Sequence, residues 1–236
     1  VTYLRNKKGR FIKGTKQPHG FKKGHKAWNK GIPRTEETKN KLSKSLYGKH
    51  RLKINLSPSP SLSYIIGVLL GDGEVRNGGI RLQQTKREFA DEFIKHTKNI
   101  GFNPFISNPP SVLKKNQIRV LASSKNFLEW FKNLPIKDIQ NHVKDFPFYF
   151  LKGLYESDGS RQRSNITFYN TNIYILHIAK HLLNDNGFNT VWGEYTTPKG
   201  RPYYHLRVLG GYEKMNDLIK LMNPAIKNEL YRRNPE

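Results

Sequence analysis

One stretch of this sequence occurs twice, and the repetition limits what the chain can fold into. Ile65-Ile66-Gly67-Val68-Leu69-Leu70-Gly71-Asp72-Gly73 returns 86 residues later as Leu151-Lys152-Gly153-Leu154-Tyr155-Glu156-Ser157-Asp158-Gly159. Each copy is an apolar helix-like run with an internal glycine, closed by an Asp-Gly turn. The same register aligns Ile80 with Ile166, Thr85 with Thr171, and Gly101-Phe102-Asn103 with Gly187-Phe188-Asn189. Ile118-Arg119-Val120-Leu121 then meets Leu206-Arg207-Val208-Leu209 at a shift of 88. Such self-similarity predicts two like units that bury their apolar helices together.

Each unit reads the same way. After Asp72 comes a period-two stretch, with Ile80 and Leu82 on one face and Arg81, Gln83 and Thr85 on the other. Its counterpart sets Ile166 and Phe168 against Asn165, Thr167 and Tyr169. Alternation of this kind predicts strands with one dry and one wet face. Helical spacing predicts helices over 87–99 (Phe89, Phe93, Ile94, Thr97) and 173–186 (Leu176, Ala179, Leu182, Leu183). Last helices are expected over 127–134 and 212–222. The fold class is therefore α+β, two pseudo-symmetric αββαββα repeats over 62–145 and 146–236, their helices behind a joint sheet.

The first 53 residues differ in kind. They hold 17 of the 42 Lys and Arg but only two acids, Glu36 and Glu37, and so +15 of the net charge of +24. Apolar residues there are too few to bury a core, so an extended basic arm over 1–56 is expected. A charge excess this large points to a polyanion or to a generally basic structural protein. Basic residues interleaved with Phe21 and Trp28 suit a strand laid along phosphates; a solvated tail is the plainer reading. Thr35 followed by Glu36 and Glu37 predicts a short capped helix to about Tyr47, stopped by Gly48. Ser57-Pro58-Ser59-Pro60-Ser61 is read as a linker over 57–61.

Absence of cysteine removes disulfides, Cys-ligated zinc and thiol catalysis, and fits an intracellular setting. The sequence has no run of 18 or more apolar residues, so neither a membrane span nor a membrane partner is expected. The basic start has no apolar segment behind it, and no secretory signal is expected.

Gly67 and Gly153 would let the two helices approach closely and bring Asp72 and Asp158 together. Two adjacent carboxylates repel unless a cation lies between them. Hard oxygen donors favour Mg2+, with Mn2+ as a substitute, and magnesium on a few carboxylates suits phosphoryl transfer. The wet strand face offers Arg76, Arg81, Gln83, Arg161, Arg163, Asn165, Thr167 and Tyr169, side chains suited to reading base edges. His177 and His181 have ligand spacing on a helix, but no Glu follows His177 and no third ligand is evident, so a polar helix face is expected.

These helices resemble the two signature helices of the LAGLIDADG homing endonucleases in their single-chain, two-copy form, over residues 62 to about 225. Leu70 stands where that pattern has an earlier acid, and Glu156 stands there in the second copy. The resemblance implies a monomer with a DNA-binding saddle. It implies double-strand cleavage of a long asymmetric target across the minor groove, leaving 3′ overhangs. Asp72 and Asp158 would each serve one strand and hold metal, with backbone carbonyls of Gly71 and Ser157 added. It also implies a nearby cation; Lys125, Arg119 and Arg207 are candidates, and the sequence does not choose among them. Residues from Gly24 to Ser43, with Trp28-Asn29-Lys30-Gly31 and Glu36-Glu37-Thr38, resemble a nuclease-associated modular DNA-binding motif. That resemblance implies DNA contacts from Lys23, Lys26, Trp28, Asn29 and Lys30. An intron RNA maturase and a DNA-binding regulator that does not cleave are the alternative functions on the same fold.

Overall fold

The computed structural model describes residues 33–49, 52–76, 78–107, 117–162, 165–196, 200 and 202–230. The chain divides into two compact units, the first ending at Lys49. In the first unit lies helix α1 (Glu36–Lys49). Thr35 starts it, its Oγ1 accepting the Thr38 N–H at 3.3 Å. Glu36 and Glu37 sit at the positive helix end and pair with Lys39 and Lys41 at 2.5 and 2.6 Å. The helix runs through Gly48 rather than stopping at it.

The second unit opens with an extended segment that belongs to its body. Ile54 and Leu56 pack against the core, and the Asn55 N–H donates to Ile100 O at 2.8 Å. The Pro-rich stretch expected to be a linker is the start of helix α2 (Pro60–Leu70). Ser59 caps it, accepting the Leu62 N–H at 3.2 Å, and Pro60 takes a first-turn position where its missing N–H is not needed. Repeated proline here sets a helix entry, not a spacer.

Beyond α2 the order is β1 (Glu74–Arg76), β2 (Gly79–Gln84), α3 (Arg87–Asn99), β3 (Phe105–Ile106), β4 (Ile118–Ser123) and α4 (Lys125–Asn133). A short helix α5 (Ile136–Val143), not foreseen, leads into the second repeat. That repeat holds α6 (Pro147–Asp158), β5 (Gly159–Gln162), β6 (Asn165–Asn170), α7 (Ile173–Asp185), β7 (Thr190–Thr196), β8 (Pro202–Val208) and α8 (Gly211–Met222). The expected α+β class and αββαββα order are both found. The expected joint sheet is not: the strands form two separate antiparallel sheets, β1-β2-β4-β3 and β5-β6-β8-β7.

The repeats join instead through α2 and α6, backbone against backbone. A Cβ at Gly67 would lie 2.3 Å from Phe150 O, and one at Gly153 would lie 2.3 Å from Tyr64 O. Ile80, Leu82, Val120 and Ala122 turn the first sheet's dry face inward against Phe89 and Phe93; Ile166, Phe168, Leu206 and Val208 do the same in the second repeat.

Beside this seam lies a buried polar cluster. Tyr64 Oη donates to Glu156 at 2.6 Å, and Lys152 Nζ donates to Glu92 at 2.5 Å. His96 meets Glu92 at 3.1 Å and Ser61 at 3.0 Å. Burial opposes ionisation of Glu92, but the bond and charge of Lys152, with His96 and Lys95, outweigh it and hold the carboxyl at about 2. Burial lowers His96 to about 4, so its ring is neutral near pH 7.

Helical Gly→Ala ordinarily gains about 1 kcal/mol in propensity. At Gly67 or Gly153 the added methyl meets backbone that cannot move aside, and overpacking of that kind costs ~1–3 kcal/mol or more. Gly67→Ala and Gly153→Ala are therefore expected to lower the urea midpoint, whereas Gly187→Ala, with open space around it but a left-handed φ of 78°, reports backbone strain alone.

Candidate active site

Helices α2 and α6 end side by side, and the two repeated aspartates follow from those ends. A Cβ at Gly71 would lie 2.4 Å from Ser157 Cβ and 3.1 Å from Asp158 Oδ2, so the two helix ends touch. Asp158 is the last residue of α6, and Asp72 stands two residues past α2. Each carboxylate is held by a carboxamide at the end of its own sheet's second strand. Gln84 Nε2 donates to Asp72 Oδ2 at 2.6 Å, and Asn170 Nδ2 donates to Asp158 Oδ2 at 3.3 Å. Both amides lie 12 residues after their aspartate. Asn170 also donates to Leu70 O at 3.0 Å, satisfying a carbonyl at the end of α2 in the other repeat.

The end of α6 is satisfied by Lys227. Its Nζ donates to the carbonyls of Tyr155 (3.1 Å), Glu156 (3.0 Å) and Gly159 (2.7 Å), with Ser157 O at 3.5 Å. A cation at the negative end of a helix is favourable. Lys227 adopts a left-handed φ of 58°, and these bonds offset that conformation's cost of about 1–2 kcal/mol for a non-glycine residue.

Desolvation pushes both aspartates up from their ordinary value. For Asp158 the charge of Asp72 adds to it, against Lys227 and the Asn170 bond, and the carboxyl lies at about 6. Asp72 is raised by desolvation, against the Gln84 bond and the charge of Lys227. The pair thus has less positive charge around it than two carboxylates require. Among the described residues no group of three or more His, Cys, Asp or Glu converges. The available donors are two carboxylates and backbone carbonyls at one crowded helix junction, a set of hard oxygens that fits magnesium.

Gln84, Asn170 and Lys227 were not among the sequence-predicted residues. The first two could have been found, because the 86-residue register sets one carboxamide opposite the other. Of the candidate cations, Arg119 donates to Gln83 Oε1 at 3.1 Å, Lys125 pairs with Glu129 at 3.6 Å on the surface of α4, and Arg207 lies opposite Thr167 on β8. The cation whose charge bears on both aspartates is Lys227.

Register sorts the expected nucleic-acid contacts. Arg76, Arg81 and Gln83 share the wet face of the first sheet; Arg76 and Arg81 both donate to Glu74. Asn165, Thr167 and Tyr169 share that of the second, with Thr167 nearly covered. Arg161 does not join them. It pairs with the core residue Ile166 and so faces the helices, where it donates to Asn216 Oδ1 of α8 at 2.7 Å. The expectation set Arg161 on the wet face with Asn165, Thr167 and Tyr169; the register of β5 on β6 sets it on the opposite face. Arg163, Lys23, Lys26, Trp28, Asn29 and Lys30 lie outside the described residues. His177 packs edge-on to Trp192 at 5.0 Å and lines, with His181, Ile136 and Tyr174, a cavity between α5 and α7.

The pairing of Asp72 with Asp158 has a direct readout in the metal-free protein. Asp158 is expected to titrate near 6 when followed by NMR; Asp72→Asn is expected to bring it down, whereas Lys227→Met is expected to raise it. Because its folded value lies above the usual 3.8, this group strengthens folding as pH falls through about 6, opposite in sign to Glu92 and His96.

Comparison with known proteins agrees with this architecture. A family described as LAGLIDADG-like domain matches residues 145–215. Two uncharacterized proteins of Methanocaldococcus jannaschii, MJ0314 and MJ0398, are 40% and 32% identical to this chain over 130 and 136 residues, covering 51% and 55% of it. The chain spans about half the length of these curated relatives, 49% and 50%. Among solved structures, a variant of I-DmoI in complex with its target DNA and in the presence of manganese superposes with a TM-score of 0.50 at 19% identity, covering 73% of this chain and 98% of that one. Full-length DUF199/WhiA from Thermatoga maritima superposes at 0.53 and 16% identity, covering 73% and 58%. At such identities the likeness is one of fold: residues 145–215 are similar to a LAGLIDADG-like domain, and the chain shares the fold seen in I-DmoI and WhiA.

Proposed function

We propose that this protein is a sequence-specific double-strand DNA endonuclease that uses divalent metal, with Asp72 and Asp158 as its paired acids. The observation that carries this reading is their convergence. Two helices meet at Gly67 and Gly153, and each delivers one carboxylate, held by a matching carboxamide, to the same junction. Binding alone has no need of a second acid whose ionisation the first opposes. The fold by itself does not choose a function, since I-DmoI and WhiA share it.

In this reading Asp72 and Asp158, with the carbonyls of Gly71 and Ser157, hold Mg2+ or Mn2+. The metal, when bound, supplies charge neutralisation at the scissile phosphates and a more acidic water. Gln84 and Asn170 fix the carboxylates in place, leaving their other oxygens available. Asn170 also ties the end of α2 to the second repeat, so the two acids keep one spacing. Lys227 keeps the α6 terminus from fraying and adds positive potential beneath the pair. Arg76, Arg81, Gln83 and Arg119 face the duplex from the first sheet, and Asn165, Thr167 and Tyr169 from the second. The basic arm would add phosphate contacts, and a monomer would cover one asymmetric site. An intron RNA is the alternative partner on the same surface.

Selection of cleaved sites from a randomised duplex library in magnesium, run beside Asp72→Asn and Asp158→Asn, tests the reading. One long site cut on both strands by the wild type is expected, with each variant slowed about 10^3-fold or more. Tight binding of a duplex or an intron RNA with no cleavage would move the function to regulator or maturase. A second test concerns the arm. Removing residues 1–49 is expected to weaken duplex binding and flatten its salt dependence, by about 0.9 in slope for each phosphate that the arm neutralises. An unchanged slope would show that the arm does not touch DNA.

A further inference from the structure

The two wet faces are not chemically alike, although the strands beneath them are. At matched positions the first sheet presents Gln83 and Gln117 where the second presents Tyr169 and His205, and Arg81 where the second presents Thr167. Arg119 and Arg207 are the same in both. On the first sheet the polar groups are linked: Arg119 donates to Gln83 Oε1 at 3.1 Å, and Gln83 Nε2 donates to Gln117 Oε1 at 2.8 Å.

On the second sheet the same region is an aromatic shelf. Tyr169 and Tyr203 stack at 5.6 Å with 8° between their planes. Tyr195 and His205 stack at 4.8 Å and 20°, and Tyr169 and His205 lie 6.2 Å apart, which makes the four rings continuous. The shelf is built in. A Cβ at Gly193 would lie 1.8 Å from His205 Cε1, so the imidazole lies flat over β7 in a space that only glycine leaves open. Burial and the charge of Arg207 keep that imidazole below its ordinary value, and the shelf is uncharged near neutral pH. It begins beside the aspartates, since Tyr169 precedes Asn170 and the charge of Asp158 is felt at Tyr203. Tyr195, at its outer end, is 54% exposed.

Arg and Gln suit bidentate hydrogen bonds to guanine and adenine edges, whereas an apolar surface in the major groove meets the thymine C5-methyl group. Resting on the proposed function above, we propose that the two sheets read their half-sites by different chemistry. The first sheet selects purine edges by hydrogen bonding, and the Tyr169–Tyr203–His205–Tyr195 shelf selects thymine methyl groups by apolar contact. The target is then thymine-rich on the side covered by the second repeat. Rigid rings lose little conformational freedom on binding, so the contact keeps most of its burial energy.

The test uses the full chain and the duplex recovered by selection. The protein has no cysteine, so Glu194→Cys on exposed β7 carries a single iron-EDTA group whose cuts identify the half-site under the second sheet. Thymine is then replaced by deoxyuridine in one half-site at a time, which removes only the methyl groups. Duplex affinity, measured in calcium, is expected to fall about four-fold per contacted methyl in the second half-site and to stay level in the first. Tyr195→Ser, at an exposed position, is expected to reduce the uracil effect while leaving the first half-site's preferences unchanged. Equal losses in both halves, a loss confined to the first, or no loss at all would overturn the proposal while the endonuclease reading stood. Failure to recover any bound duplex would overturn both.

Discussion

The contact between Gly67 and Gly153 is the constraint on which the rest depends. Two helices can bring their backbones this close only where neither presents a side chain, and here each glycine faces the other helix's main chain. The approach fixes where α2 and α6 end, and hence where Asp72 and Asp158 stand. It also crowds the junction, and partial desolvation raises both carboxylates, although Asp72 stays exposed and Asp158 half-buried. One packing feature thus determines both the geometry of the acids and their electrostatics.

The repeats share a fold but not a seam chemistry. Lys152 and Glu156 of α6 have Ile66 and Leu70 as their counterparts in α2; Glu92 and His96 of α3 have Ile178 and Leu182 in α7. Bonds across the seam join unlike residues of the two repeats: Lys152 with Glu92, Glu156 with Tyr64. Two copies of the second repeat would set Lys152 against Ile178 and bury a charge without a carboxylate, at a cost of several kcal/mol. The asymmetry of the wet faces runs alongside this asymmetry of the seam, so the molecule treats its two halves as distinct inside and out.

Much of this was legible from the sequence, for definite reasons. The 86-residue register located both aspartates, both helix-contact glycines and the αββαββα order, because a repeat supplies two independent readings of each feature. Period-two alternation sorted β2 and β6 correctly; Arg161 lies on a different strand, β5, whose pairing register with β6 no local pattern reveals. Lys227 carried no sequence signal: it reaches α6 only because the chain after α8 folds back, and its left-handed backbone leaves no mark on composition. Lys152 and Glu156 were visible as polar residues inside an apolar helix, but their partners come from a different helix, which no local pattern reveals. The Pro-rich stretch misled because proline serves equally as a spacer and as a first-turn helix residue, and only the cap formed by Ser59 decides between them.

In the proposed function the two aspartates form one metal-holding centre on DNA. Titration of Mn2+ into the complex with its selected duplex, followed by electron paramagnetic resonance, tests it most directly when wild type is compared with the Asp72→Asn/Asp158→Asn double variant. Duplex-dependent bound manganese is expected in the wild type, with its loss in the double variant while the duplex stays bound. Equal manganese binding by both proteins would contradict it and leave Asp72 and Asp158 as a structural pair at the helix junction.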